Sequence, residues 1–262
     1  MLVNTVYLLT GAFGGVIIGA LGSGSSLVIL PVLSLILPTV LPESVSLQTA
    51  VATCMATLIV GSISGAISYG KAKLYDLTLL KWALPGVLVG ALIAPKVAEF
   101  LSPTHLRLYI GGLIVAIALY KLFASRKKTD EQPKALEPVL IVVVSIVSAT
   151  LSGLAGVALG ILMIPFLSRY TEHRKVLGTN LMLAVPYSIL GTIGYVVSGL
   201  QAGIDPVNLT LGYVYLPAFI AISLTIALFP PLGLRLVKNI GPQITQRLFY
   251  GYLLVIGVTI LL

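Results

Sequence analysis

Charge is what this chain has least of. Only 9% of its 262 residues are Asp, Glu, Lys or Arg, where a soluble domain carries roughly a quarter. Set beside 58% hydrophobic residues and a mean hydropathy of +1.08, this excludes a soluble globular protein and puts the chain in a bilayer. The single cysteine, Cys54, excludes an intrachain disulfide. The two histidines are His105, beside Pro103 at a membrane edge, and His173, in a basic loop. No Cys/His cluster stands at metal-ligand spacing, so no cofactor is implied. The eight acidic residues are Glu43, Asp76, Glu99, Asp130, Glu131, Glu137, Glu172 and Asp205, and none falls deep in an apolar stretch. Proton-driven transporters normally carry an intramembrane Asp, Glu or His, which argues against carboxylate proton coupling.

Long apolar runs are abundant. About 20 apolar residues cross the hydrocarbon core, and Val45–Tyr69, Leu77–Val97, Leu106–Phe123, Val176–Ser198 and Leu209–Phe229 meet that length. Ile244–Leu262 is shorter but apolar to the last residue. Leu2–Leu37 and Val139–Leu167 are too long for one plain span, and a cluster of small residues interrupts each. The first 22 residues lack a basic n-region, and their Gly-rich end recurs in mid-chain. They are therefore expected to be mature structure rather than a signal peptide.

The chain repeats itself. Gly19-x-x-Gly22 leading to Pro31 returns as Gly153-x-x-Gly156 leading to Pro165. Ala52-Thr53-Cys54 answers to Gly178-Thr179-Asn180, and Gly65-Ala66-Ile67-Ser68-Tyr69 to Gly191-Thr192-Ile193-Gly194-Tyr195. Pro85 aligns with Pro217, and Arg107-Leu108-Tyr109-Ile110-Gly111 with Arg247-Leu248-Phe249-Tyr250-Gly251. The division expected is a first transmembrane repeat over residues 1–123, a cytoplasmic linker over 124–137 and a second repeat over 138–262. The linker is the one long polar stretch, with Arg126-Lys127-Lys128, Asp130 and Glu131, and holds nothing that could fold alone.

Basic residues decide the orientation, since Lys and Arg gather in cytoplasmic loops. If each interrupted stretch crosses once, the sixteen Lys and Arg divide evenly between the faces. If each enters and returns, one face keeps only Lys96 and Arg107, and the other fourteen collect opposite. The second arrangement satisfies the positive-inside rule and makes the repeats inverted. The fold class expected is an all-α polytopic membrane protein of about 8–10 membrane segments. Each repeat then has a broken or re-entrant first helix followed by three spanning helices. The net charge of +8 reflects this topology rather than a nucleic-acid partner. The partners expected are the bilayer and a small anion, and the chain is compatible with a monomer or a homodimer.

Non-helical backbone at membrane depth is costly unless it lines a cavity or is buried in protein. Glycine permits the turn, serine supplies hydroxyls, and a restarting helix aims free N–H groups and its positive dipole end at the break. Candidate ligand-binding residues are therefore Gly22, Ser23, Gly24, Ser25 and Ser26 in the first break, and Gly156 and Gly160 in the second. Gln48, Thr53, Cys54, Thr179 and Asn180 join them from the spans that follow. Close helix packing is the plainer use of such small residues, as in Gly15-x-x-x-Gly19 and Gly86-x-x-x-Gly90. Membrane threonines also commonly bond their own backbone. Recurrence at matched positions in both halves favours a site. An intramembrane hydrolase using Ser23, Ser25 or Ser26 would need a base in reach, and neither histidine has a counterpart in the other repeat.

The run Gly15-Val16-Ile17-Ile18-Gly19-Ala20-Leu21-Gly22-Ser23-Gly24 with Pro31 resembles the TauE/SafE family of sulfite exporters and related sulfur-anion permeases. So do Gln48-Thr49-Ala50-Val51-Ala52-Thr53, Gly65-Ala66-Ile67-Ser68-Tyr69-Gly70, Val176-Leu177-Gly178-Thr179-Asn180 and Arg247-Leu248-Phe249-Tyr250-Gly251. The chain departs from the family where Gly22-Ser23-Gly24-Ser25-Ser26 replaces a run of glycines. The resemblance implies a multi-pass transporter of a bacterial or archaeal cytoplasmic membrane, not an enzyme. It would export sulfite or a related small sulfur-containing anion, with uptake of thiosulfate or an organosulfonate as the alternative.

Overall fold

The structure, a computed structural model, describes residues 2–21, 24–123, 135–204, 209–229, 232 and 242–261. Its described helices form two runs of five. Before the linker come α1 (Leu2–Leu21), α2 (Ser26–Ile36), α3 (Glu43–Lys71), α4 (Leu77–Phe100) and α5 (Pro103–Phe123). After it come α6 (Pro138–Leu154), α7 (Gly160–Leu167), α8 (His173–Gln201), α9 (Leu216–Leu228) and α10 (Pro242–Leu261). Among the described residues four helices are long and apolar enough to cross a bilayer by themselves: Glu43–Lys71, Leu77–Phe100, Pro103–Tyr120 and Arg174–Gln201. The chain is thus an all-α polytopic membrane protein, apart from one small hairpin.

Local chemistry sets the helix ends. The Asp76 carboxylate caps α4 by accepting from the N–H groups of Thr78 and Leu79 at 3.0 and 3.1 Å. Helices α3 and α8, 29 residues each, close alike. Ala72 and Ala202 return their N–H groups to Ser68 and Ser198, and the next residues, Lys73 and Gly203, turn left-handed. All five acidic residues among those described, Glu43, Asp76, Glu99, Glu137 and Glu172, stand at or beside a helix end.

The apolar run Leu209–Phe229 is not one helix. Strands β1 (Thr210–Leu211) and β2 (Val214–Tyr215) pair antiparallel, with Thr210 opposite Tyr215. The turn needs Gly212 twice over, for a φ of +56° and for its approach to the Val196 backbone of α8, which leaves no room for a Cβ. Helix α9 therefore starts late, and Pro217 falls in its first turn while Pro85 lies inside α4. These aligned prolines are not structural counterparts. The residues that correspond by position are Asp76 and Tyr215, each immediately preceding its helix.

Packing crosses between the halves. Helix α4 lies on α6, α1 on α9, α3 on α8 and α5 on α10, so each half lends its first helix to the fourth of the other. Leu and Ile gain little from leaving lipid, so membrane helices associate where small residues let backbones approach. Gly86 and Gly90 do this for α4 against Val142, Ser145 and Ile146, and Gly11 and Gly15 for α1 against Ile222 and Ile226. Many large apolar side chains also face outward. Leu9, Ile220, Leu224, Leu228 and Val255 are each more than half exposed. The interior holds Ser and Thr hydroxyls among aliphatic groups, and no Asp, Glu, Lys or Arg is buried among the described residues.

Candidate functional site

Both helix breaks open onto one cavity. Helix α1 ends at Leu21, and at Gly24 the backbone takes a φ of +100° before α2 begins at Ser26. A side chain at Gly14 would meet Ser25 and Ile29, so α2 doubles back along α1. In the second break Gly156 turns at φ +61° against Val51 of α3, where a Cβ would stand 2.9 Å from the carbonyl oxygen. One hydrogen bond ties the breaks together: the Ala158 N–H donates to Ser26 Oγ at 2.9 Å.

The first turns are tight. Leu27 and Val28 donate to the carbonyls of Gly24 and Ser25, and Ile161 and Leu162 to those of Ala158 and Leu159. The N–H groups just ahead, at Ser25, Ser26, Leu159 and Gly160, have no acceptor within their own helix. Two positive helix ends thus converge. The cavity between them measures about 50 Å³ and is lined by Gly24, Ser25, Ala158, Leu159 and Gly160 from the breaks. Helix α1 adds Ile18, α3 adds Leu58, Gly61 and Ser62, and α8 adds Asn180, Leu181, Ala184 and Tyr187. Gly61 and Ala184 lie in the interiors of their 29-residue helices. None of these lining residues carries a formal charge.

Of the residues singled out from sequence, Gly24, Ser25, Gly160 and Asn180 come together on this cavity, with Ser26 bridging behind them. Gly22 and Ser23 lie outside the described residues. Gln48, Thr53, Cys54, Gly156 and Thr179 are not in the lining. Thr53 and Thr179 have a shared and different occupation. Thr53 Oγ1 accepts the N–H of Tyr215 at 2.9 Å, and Thr179 Oγ1 that of Asp76 at 2.8 Å. Each pins the start of the fourth helix of the opposite half. Thr57, on the same face as Thr53, bonds its own helix at Cys54. The Cys54 thiol is fully buried and donates to the Ser26 carbonyl at 3.7 Å. Gln48 and Thr49 are buried, and the amide oxygen of one and hydroxyl of the other have no partner among the described residues.

Three tyrosines escaped the sequence reading. The hydroxyls of Tyr109, Tyr187 and Tyr195 donate to the carbonyls of Leu151, Val157 and Gly153 at 2.7, 2.9 and 3.0 Å. A break frees carbonyls that lipid cannot satisfy, and phenols inside apolar helices need acceptors. That pairing of needs was the available signal. Among the described residues no general base is bonded to Ser25 or Ser26: Ser26 is engaged by Ala158, and His105 is exposed and bonded to Ser102 at 2.7 Å. Among the described residues no three of His, Cys, Asp and Glu stand together in a way that could hold a metal.

Helix ends meeting at an uncharged cavity, within a bundle that also exposes large apolar side chains, are what a polytopic membrane transporter needs. Residues 7–260 match the family model described as sulfite exporter TauE/SafE, and the chain belongs to that family, whose members are transporters rather than enzymes. It is 28% identical over 97% of its length to a probable membrane transporter protein of Haemophilus influenzae, 97% of which is covered. It is also 28% identical over 63% of its length to a probable membrane transporter protein of Methanocaldococcus jannaschii, 61% of which is covered. No solved structure matches the chain. The protein is a multi-pass protein of the cytoplasmic membrane.

Proposed function

We propose that this protein exports sulfite, or a small oxyanion like it, by alternating access between two inverted repeats, the anion being held where the two broken helices meet. The observation that carries this reading is the convergence of both helix starts on one uncharged cavity. Partial positive charge at two helix ends binds an anion without a buried cation to trap it. The cavity is small, about 50 Å³, which favours a small anion.

Inversion is supported by the fourteen-to-two division of basic residues and by the reciprocal packing of α1 on α9 and α6 on α4. The paired threonine contacts add to it. A second cavity of about 500 Å³ is lined by Ser34, Glu43, Ser44, Thr104 and Arg107, and inversion assigns it to the face with few basic residues. Membrane potential supplies about 2.3 kcal/mol per charge per 100 mV, enough to drive an anion out of a negative interior. Uptake through thiol chemistry is disfavoured by the placement of Cys54 against the α2 backbone, away from the lining.

The test is sulfite efflux from proteoliposomes under potassium-diffusion potentials of either sign. Efflux that accelerates when the interior is negative supports electrogenic export. Absence of sulfite flux at both polarities removes the substrate assignment.

A further inference from the structure

Helices α3 and α8 meet through contacts that come in matched pairs. A Cβ added at Gly65 would stand 2.8 Å from Leu181, and one at Gly191 would stand 3.0 Å from Met55. Gly65 aligns with Gly191 and Met55 with Leu181, so exchanging the halves turns one contact into the other. Between these contacts, the hydroxyls of Ser62 and its aligned residue Ser188 lie 3.3 Å apart. A residue touches its own counterpart only where a two-fold axis passes between them. Along α3, Met55, Ser62 and Gly65 meet Gly191, Ser188 and Leu181 of α8. The two helices therefore run antiparallel, and the axis crosses them.

The cavity does not respect this axis. Part of its lining comes from both halves, as with Leu58 and Ala184 or Gly61 and Tyr187. Gly160, Asn180 and Leu181 line it without their aligned residues Ser26, Cys54 and Met55. Ile18 and Ser62 likewise line it without Ser152 and Ser188. Every one of these missing counterparts is fully buried, at 0% exposure. The cavity thus leans toward the start of α8, the end that carries Arg174 and Lys175, and its two-fold image is packed shut. Met55 fills that image, its Cε being 3.0 Å from a Cβ added at Gly191 and 3.7 Å from one at Gly153. The Ser152 hydroxyl is buried without a hydrogen-bond partner among the described residues.

We infer that Ser26, Cys54, Met55, Ser152 and Ser188 form a latent half-site for the same small anion, toward the face with few basic residues, with Met55 as its plug. The inference rests on the alternating-access reading above and names what opens as the present cavity closes. Three serine hydroxyls and a thiol then donate to the anion's oxygens, where the present cavity offers the Asn180 amide. An unbranched thioether suits a plug, because it repacks by rotation about its own side-chain bonds.

The experiment uses Cys54, the chain's single cysteine, as its reporter. Membrane vesicles of either orientation are treated with a small, impermeant, anionic methanethiosulfonate, and the mass of the purified chain is measured. The result expected is modification of Cys54 from the outer face and not from the inner face, with none in C54A. A C54A/S25C double variant, altered at a residue that lines the present cavity, is modified from the inner face. M55A, which removes the plug, speeds outer-face modification of Cys54. The opposite sidedness in either protein, no modification of Cys54, or a rate unchanged by M55A overturns the inference. Sulfite flux is measured separately in proteoliposomes of the full chain. Outer-face modification without sulfite flux removes the substrate assignment and leaves the latent half-site standing.

Discussion

The first break is closed by a serine and a thiol, the second by three phenols. Ser26 Oγ reaches across to Ala158, and the Cys54 thiol meets the Ser26 carbonyl. Opposite them, Tyr109, Tyr187 and Tyr195 hold the carbonyls on both sides of Gly156. Volume is exchanged as well. Ser26 aligns with Gly160 and Cys54 with Asn180, so the half with a side chain at the helix start has the small residue facing it. The half without one admits the larger amide. Two matched backbones thereby line the cavity unequally, with the one side-chain amide on the braced side.

Filling the space at Gly160 attacks that exchange most directly. G160A places a methyl group against the Asn180 amide and Ile164, and should lower sulfite flux about tenfold or more. Overpacking costs about 1–3 kcal/mol, so thermal unfolding in detergent should fall only modestly. Unaltered flux would show that the amide is not held where the comparison requires it.

Removing the phenols should destabilise the second break alone. Y187F strands the Val157 carbonyl, at about 1–3 kcal/mol in a dry interior and nearer 0.6 kcal/mol where membrane reference states find other partners. Y195F costs less, because the Gly153 carbonyl also accepts the Gly156 N–H. Thermal midpoints of the single and double variants would measure it. Values no lower than those of C54A would dissolve the contrast between a braced break and a lightly held one.

The threonines sharpen the comparison from its symmetric side. T53V and T179V each orphan the N–H that begins α9 or α4, so both should lose stability by about 1 kcal/mol and by matching amounts. A large inequality would argue that the halves are not equivalent there. The smallest effect belongs to C54A. Its thiol makes one long contact, so flux per folded molecule should stay within about twofold of the parent. Abolished transport would return thiol chemistry to consideration.

Much of this was legible before any fold was known. Residence in the bilayer follows from the scarcity of charge, and the breaks from Gly24, Gly156 and the small residues around them, because backbone freed at membrane depth must be bought with turns and close contacts. Helices α3, α4, α5 and α8 were visible as long apolar runs, to within a few residues at each end. The hairpin before α9 was not, because Thr210–Tyr215 runs without a charged residue straight into the helix it precedes. Only the approach of Gly212 to α8 makes the turn favourable there.

Side-chain direction was the other thing hidden. Aligned Thr53 and Thr179 are both polar residues inside spans, and nothing local distinguishes a ligand contact from a brace. Each helix advances by about 100° per residue, so the contacts of α3 with α8 and α9 decide which residues reach the cavity. Composition, charge distribution and internal repetition, all properties of the chain itself, determined the membrane and the class of protein. Packing of one half on the other decided that Asn180 lies in the cavity lining while Cys54, its aligned partner, does not, because the rotation of a helix is set by the surface it packs against.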